Sequence, residues 1–214
     1  MTTLIAVRHA QSLANKEETF IGHKDMDLSE LGHEQAKLLG EYLVKKEYPI
    51  DVIYSSDLLR PYHTVEPYAK AVGKEIIKDN QLREIYAGRW EGEKFADLLT
   101  LFPESYKIWL SDIGSCRCDD GESVAELYER INREIDRIAE KHDGETVLIA
   151  THATPIRCLT ARAKGVGTEG LKDVKWCENT AINIFEYSSG VLSAKELNVS
   201  EHLGEFRSGL PKTV

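Results

Sequence analysis

Short apolar runs along the chain alternate with longer segments in which apolar residues recur every three or four positions. The runs at 3–7, 51–55 and 146–150 have the length and the largely continuous apolar character of strands buried in a parallel sheet. Two later runs, 181–187 and 191–197, lie on either side of a Ser-Ser-Gly turn sequence. The pattern therefore predicts five strands, the last two closing the chain.

Several segments with helical spacing begin at residues that commonly cap helices. Ser29 precedes a segment whose apolar positions repeat at helical spacing as far as Leu43. The sequence SVAE at 123–126 matches a capping box and begins a long amphipathic helix, which is predicted to end at 143–144. A shorter helix is predicted at 95–101.

Prolines mark two further helices. One helix is predicted to begin near Pro61, and Pro67 is expected to kink or end it because proline has no N–H to donate. Thr154 and Pro155 are interpreted as the N-cap and first residue of a helix that follows the strand at 146–150.

Alternating strands and helices predict an α/β domain with a mostly parallel sheet flanked by helices and joined by right-handed crossovers. Residues 85–120 interrupt the alternation, and we expect them to form a small cap or lid. No linker, repeat or low-complexity segment divides the chain, so residues 1–214 are predicted to form a single domain.

The charge balance narrows the range of partners. The formal net charge is −9 at pH 7, and nucleic-acid backbones and anionic lipid surfaces repel a negatively charged protein. Neither nucleic acid nor a membrane is therefore expected as a partner. An acidic protein that binds a phosphorylated metabolite must gather positive charge in one cleft, so the positions of individual arginines matter.

The N-terminal residues lack the pattern of a signal peptide, and no window is apolar for long enough to span a bilayer. Two of the four cysteines, Cys116 and Cys118, form a C-x-C pair, but the second close pair that a zinc site needs is missing. A cytoplasmic location with reduced thiols is expected. The oligomeric state stays open, with a homodimer as one option.

Charged and titratable residues follow three of the predicted strands. Arg8 and His9 come directly after the first strand, Arg60 follows the second, and His152 follows the strand at 146–150. Because binding sites in open parallel sheets form at the carboxyl ends of strands, these four side chains are predicted to meet in one cleft. Each residue taken alone is more commonly structural, and their joint placement favours a site.

Two guanidiniums and two imidazoles suit phosphoryl transfer. The planar fork of arginine matches phosphate oxygens, and a neutral imidazole is a competent nucleophile near neutral pH. A second histidine can donate a hydrogen bond to a non-bridging oxygen in the transition state. The leaving alkoxide needs a proton, for which Glu84 is the candidate acid. Trp90, Trp109 and Trp176 are candidates for a substrate wall, although aromatic residues more commonly pack in cores.

Five sequence blocks in order resemble the signature of the histidine phosphatase superfamily, whose members have the phosphoglycerate mutase-like fold. The blocks read RHAQS at 8–12, SSDLLRPYHT at 55–64, LREIYAGRWEG at 82–92, DGES at 120–123 and THA at 151–153. The resemblance covers residues 3 to about 200.

The resemblance implies that His9 is the phosphorylated nucleophile and that Glu84 donates the proton, with no metal and no cofactor. Arg8, Arg60 and His152 would complete the phosphate pocket. Asn15, Gly22 and Ala153 are further residues expected at the substrate site.

Three positions depart from the family pattern. The family usually has glycine after both pocket histidines, where this chain has Ala10 and Ala153, and Gln11 replaces the usual glutamate. Alanine keeps the N–H that could bind phosphate, but its methyl group disfavours positive φ and occupies space. A narrowed pocket or lowered activity is the expected consequence.

The same resemblance favours a phosphatase over a mutase. Monofunctional phosphoglycerate mutases of the family carry a basic, proline-rich insertion before the fourth block, whereas here 107–119 occupies that region without a proline. The expected activity is hydrolysis of a small phosphorylated metabolite, with a sugar phosphate, a phosphoglycerate, an α-ribazole phosphate or a broad set as options. The alternatives are a mutase-type phosphotransferase and a non-catalytic phospholigand-binding scaffold.

Overall fold

In the computed structural model, which describes residues 1–209, six strands form one sheet in the order β3-β2-β4-β1-β5-β6. The strands are β1 (Thr2–Arg8), β2 (Val52–Ser56), β3 (Ile76–Asp79), β4 (Thr146–Thr151), β5 (Ile182–Ser188) and β6 (Val191–Val199). The first four in this order are parallel to one another, β5 is antiparallel to β1, and β6 is antiparallel to β5. The predicted α/β class with a mostly parallel sheet is confirmed.

Seven α-helices accompany the sheet within the described residues: α1 (Leu13–Lys16), α2 (Glu30–Lys45), α3 (Leu59–Val72), α4 (Phe95–Leu101), α5 (Pro103–Ser111), α6 (Val124–Lys141) and α7 (Ala153–Ala163). Side chains of β1 alternate between the two faces of the sheet, as strand geometry requires. Ile5 and Val7 pack with α2 and α3, whereas Leu4 and Ala6 join the larger core that includes α6 and α7.

Residues 85–120 supply α4, α5 and several single turns. Trp90, which is fully buried, is surrounded by the rings of Phe20, Phe102, Tyr106 and Trp109, with ring centroids 5.4–6.3 Å away. Three of these four ring pairs meet edge to face, a geometry that stabilises beyond the burial of each ring. The segment is therefore packed onto the same hydrophobic core as α6 and α7.

Two helix limits in the structure differ from those predicted from the sequence. Pro67 does not end α3, which continues to Val72 and ends at Gly73, where φ is +68°. Proline removes a single backbone hydrogen bond, and the burial of Val65, Tyr68 and Ala69 on the sheet side holds the helix together around it.

Helix α7 begins before the predicted point. Its N-cap is His152, and Pro155 is its third residue. Proline is accepted there because the N–H groups of a first helical turn have no partner within the helix. The position of the helix places the backbone of His152 directly at the junction between β4 and α7.

The remaining element predictions agree with the structure to within one or two residues, including Ser29 as the N-cap of α2 and the capping box at the start of α6. Strand β3 and helices α1 and α5 were not predicted. All four cysteines are buried free thiols. None of the helices within residues 1–209 has the length and apolar character needed to cross a membrane.

Candidate active site

The neighbouring strands β1 and β4 bring two histidines together at the carboxyl edge of the sheet. Arg8 pairs in register with Thr151, so the next residue on each strand is a histidine. The backbone N–H of His9 donates to the Thr151 carbonyl oxygen at 2.9 Å. The rings of His9 and His152 meet edge to face with their centroids 5.2 Å apart.

The hydrogen bond of His9 determines which ring nitrogen is available for chemistry. Nδ1 lies 2.7 Å from the carbonyl oxygen of Ala10, which can only accept, so Nδ1 carries the proton. Burial holds the pKa of His9 well below 6.5, and the charges of Arg60 and Arg8 act in the same direction. The ring is therefore neutral near pH 7. Its Nε2 is unprotonated, so its lone pair is available in the cleft.

Two buried arginines flank this ring, and backbone carbonyls orient both. Arg8 donates through Nη1 to the Cys177 carbonyl at 2.6 Å, and Arg60 donates through Nη2 to the Gly22 carbonyl at 2.7 Å. Burial lowers the pKa of Arg60 to about 10, which leaves it protonated at neutral pH. Neither guanidinium has a carboxylate partner within residues 1–209. The cleft thus contains two buried positive charges without a carboxylate partner among residues 1–209, and this favours the binding of an anion.

His152 lies beside His9 rather than on the open wall of the cleft, since its side chain has no exposed surface. Its Nε2 lies 3.0 Å from the hydroxyl of Ser56, the last residue of β2. Its Nδ1 is buried without a hydrogen-bond partner among the described residues. Burial holds the pKa of His152 well below 6.5, with Arg60 contributing next, so this ring is also neutral.

Glu84 lines the cleft and is positioned by its neighbours. Its Oε1 accepts from the N–H of Ile85 at 2.9 Å, and its Oε2 accepts from the N–H of Thr154 at 3.3 Å. The adjacent Arg83 makes a two-pronged ion pair with Asp57, both contacts being 2.6 Å long. These contacts tie the loop that carries Glu84 both to α7 and to the loop that follows β2.

Asn15 and Gly22 also line the cleft, each in a constrained position. The Oδ1 of Asn15 accepts from Ser12 and from Asn179, which leaves the Nδ2 amide for a ligand. Gly22 has φ +52°, and a Cβ there would lie 2.4 Å from Glu91. Only glycine fits this turn, and its carbonyl is the group that orients Arg60.

The two alanines behave differently from the sequence expectation. The N–H of Ala10 donates to the Thr64 hydroxyl at 2.9 Å, so it is not available to donate to a phosphate. Its methyl group packs with Leu28 and Ala36 away from the cleft. Ala153 does line the cleft, at the first residue of α7. Neither alanine has a positive φ, so the expected backbone penalty does not arise.

Besides the charged groups, apolar side chains form part of the wall of the cleft. The cavity measures about 600 Å³. Its apolar wall consists of Phe20, Ile21, Phe95, Trp109 and Trp176. Two of the three tryptophans singled out in the sequence therefore reach the site, while Trp90 stays in the core. Ser56, Thr64 and Asn179 hold the site but were not recognised from sequence, although Ser56 and Thr64 lie within one of the five blocks.

No group of three or more histidine, cysteine or carboxylate side chains suited to a metal ion occurs in the part of the chain that the structure describes. The chemistry present near His9 is instead that of positive charge, neutral imidazoles and one carboxyl group.

Comparisons with known proteins agree with this arrangement. A model of the histidine phosphatase superfamily (branch 1) matches residues 4–200. Phosphoserine phosphatase 1 of Hydrogenobacter thermophilus is 33% identical over 206 residues, covering 96% of each chain. Phosphoglycerate mutase-like protein 4 of Arabidopsis thaliana is 34% identical, covering 87% of this chain and 80% of its own. The solved structure of Bacillus stearothermophilus YhfR has a TM-score of 0.88 at 28% identity, covering 94% of this chain and 100% of that one.

Proposed function

The chain belongs to the histidine phosphatase superfamily and is a phosphomonoesterase, and from this premise we propose that His9 and Glu84 hydrolyse a small phosphorylated metabolite in two steps. The observation that carries the proposal is the ring of His9, whose Nδ1–H is held by the Ala10 carbonyl and whose free Nε2 lies in a cleft between two buried arginines.

In the first step, Nε2 of His9 attacks phosphorus, the P–O ester bond breaks, and its electron pair leaves on the alcohol oxygen. Glu84 gives that oxygen its proton. In the second step, a water molecule loses its proton to Glu84 and attacks the phosphohistidine, and the P–N bond breaks with its electron pair returning to Nε2. Both groups end in their starting states, so one phosphate ester and one water yield one alcohol and one phosphate.

Arg8 and Arg60 stabilise the charge on the transferring phosphoryl group, since they are preorganised and already desolvated. His152 adds a hydrogen bond from its Nδ1–H. The Ser56 hydroxyl supports this tautomer: its hydrogen can be donated to Nε2 of His152, which places the ring proton on Nδ1. Asn15 contributes its amide N–H groups, Gly22 positions Arg60, and Ala153 lines the entrance beside Glu84.

The alcohol part of the substrate would lie against the apolar wall, because the charged groups of the cleft are all engaged with the phosphoryl group or the leaving oxygen. Residues 85–120 contribute Phe95 and Trp109 to this wall. We propose that this segment acts as a cap within one domain and selects the leaving group. The four free thiols support a reducing compartment such as the cytoplasm.

A mutase would use the same phosphohistidine but return the phosphoryl group to a second hydroxyl of the substrate. The name phosphoserine phosphatase, carried by a relative that matches almost the whole chain, supports hydrolysis instead. A non-catalytic scaffold would have no use for Glu84, which lies in the cleft beside the nucleophile.

The test is hydrolysis of 4-nitrophenyl phosphate, phosphoserine and a panel of phosphorylated metabolites in the presence of a chelator. We expect release of inorganic phosphate that the chelator leaves unchanged and that His9→Ala abolishes. The matched control is His33→Ala, which removes an exposed histidine of α2 outside the cleft. Undetectable turnover on every ester would favour the scaffold, and an isomerised phosphate ester as the main product would favour the mutase.

A further inference from the structure

A second cavity of about 760 Å³ lies next to the catalytic cleft and shares two of its wall residues, Trp109 and Trp176. Three cationic side chains line it: Arg157 from α7, and Lys172 and Lys175 from the segment that leads to β5. Asp173 is the acidic residue on the same wall. These positive charges are concentrated at one cavity of a protein whose net charge is −9, which favours an anion as the ligand of this cavity.

Arg157 differs from most arginines of this protein in being deeply buried without a carboxylate partner among residues 1–209. The arginines that pair with carboxylates all keep side-chain exposure of 17% or more: Arg83, Arg117, Arg130, Arg137, Arg162 and Arg207. Arg157 has 4% exposure and no carboxylate partner within residues 1–209. Only Arg8 and Arg60 share this combination in that range, and both belong to the phosphate pocket.

The contacts of Arg157 leave hydrogen-bond donors unused. Its Nη2 donates to the Leu171 carbonyl at 2.5 Å, and its guanidinium carbon lies 4.0 Å from the ring centre of Trp176. Its Nε is buried without a partner among the described residues. Burial lowers the pKa of Arg157 to about 10, so the group remains charged at neutral pH. A carbonyl and an aromatic ring offset only part of the cost of burying that charge.

We propose that this second cavity binds an anion, a carboxylate or a phosphate, on Arg157 with Lys172 and Lys175 at its rim. The anion has two potential sources: a second acidic group on the substrate of the neighbouring cleft, or a free anion that binds independently. In either case Trp176, which contacts Arg157 on one side and lines the catalytic cleft, connects the two sites.

Equilibrium dialysis against radiolabelled inorganic phosphate tests the site without requiring turnover. Wild-type protein should bind two phosphates per chain, one in the catalytic cleft and one in the second cavity. Arg157→Met and Arg60→Met should each bind one. If wild-type protein binds a single phosphate that Arg157→Met leaves unchanged, Arg157 is structural and the proposal is wrong.

Arg157 also holds the loop at Leu171, so Arg157→Met removes a structural contact as well as a charge, and a second variant separates the two effects. Lys172→Ala/Lys175→Ala changes exposed residues only. It should lower the affinity for phosphate in the second cavity at least threefold and leave the affinity in the catalytic cleft unchanged. Unchanged affinity for both phosphates in this variant would also count against the site.

Kinetics then identify the source of the anion, and this arm rests on the proposed function. If the anion is part of the substrate, Arg157→Met should raise KM at least tenfold for phosphoserine, which carries a carboxylate, and leave it unchanged for 4-nitrophenyl phosphate. If a free anion binds, KM stays unchanged for both esters while the second phosphate is lost from dialysis. Inactivity on every ester would overturn the proposed function and leave the dialysis result standing.

Discussion

The cleft has two kinds of lining: a phosphate side, whose charged groups Arg8, His9 and Arg60 are held by backbone carbonyls, and an apolar side, whose aromatic rings carry no charge. Arg8, His9 and Arg60 each donate to a carbonyl oxygen, and they come from the carboxyl edge of the sheet and the start of α3. The aromatic rings, among them Phe95 and Trp109, come from helices added outside the sheet. We therefore expect the sheet to determine the chemistry and the added segments to determine which alcohol is accepted.

Apart from the loss of the nucleophile itself, the largest effect is expected at Glu84, which lines the cleft. A strongly basic alkoxide needs a proton as it leaves, whereas a nitrophenolate does not. General acid catalysis contributes about 10²–10⁴-fold, so Glu84→Gln should lose activity on that order with alkyl phosphates and far less with 4-nitrophenyl phosphate. The control Glu104→Gln, at an exposed glutamate of α5, should change neither rate. Equal losses on both esters would remove Glu84 from the role of proton donor.

The second prediction concerns His9, a buried histidine on the phosphate side. His9 has a pKa well below 6.5 when folded, so the unfolded chain takes up its proton first as the pH falls. Its contribution to stability is fully present above pH 6.5 and decreases below it, by about 1.4 kcal/mol per pH unit until the folded pKa is reached.

Denaturant unfolding of wild type and His9→Asn at pH 7, 6 and 5 checks the direction of this pH dependence. The free energy of unfolding should fall less steeply with decreasing pH in the variant, by roughly the amount assigned to one histidine. Parallel curves for the two proteins would show that His9 titrates normally in the folded state.

A smaller effect is expected at Ser56, which acts on the phosphate side through His152. Loss of one hydrogen bond of about 1 kcal/mol corresponds to roughly fivefold in kcat for Ser56→Ala. NMR of the histidine rings should show a mixture of tautomers at His152 in this variant. Ser55→Ala is the control, since the Ser55 hydroxyl donates to a backbone carbonyl instead. An unchanged His152 tautomer in Ser56→Ala would contradict the role.

The smallest effect is expected on the apolar side. Removing the partly buried ring of Phe95 should raise KM for an aryl phosphate about two- to threefold, from the lower end of the 0.5–1.5 kcal/mol assigned to aromatic contacts. Inhibition by inorganic phosphate should not change, because phosphate binds on the other side. Leu99→Ala, on the exposed face of the same helix, provides the comparison. Weaker phosphate inhibition in Phe95→Ala would show that the two sides are not independent.

The placement of His9 and His152 at one edge of the sheet could be predicted from the sequence because its signals are local. His9 and His152 each follow a continuous apolar strand, and parallel neighbours in a sheet end at the same edge. Helices α2 and α6 begin at residues whose caps form within three positions along the chain. Such features depend on few contacts from distant residues.

What the sequence did not predict depends on contacts between distant segments. The N–H of Ala10 is taken by Thr64, 54 residues away. Strand β3 is a four-residue edge strand with no fully buried residue, so it carries little apolar signal. The burial of Arg157 without an acidic partner among residues 1–209 likewise follows only from the packing of α7 against Trp176.

The central claim is that the phosphoryl group passes through Nε2 of His9, and rapid-quench trapping tests it most directly. Wild-type protein is mixed with a ³²P-labelled phosphate ester, stopped in alkali within milliseconds and digested, because phosphohistidine survives alkali and is released in acid. The account predicts alkali-stable, acid-labile label on the peptide that contains His9, formed at least as fast as the ester turns over. Steady turnover with no label on that peptide, or label that persists in His9→Ala, would contradict it.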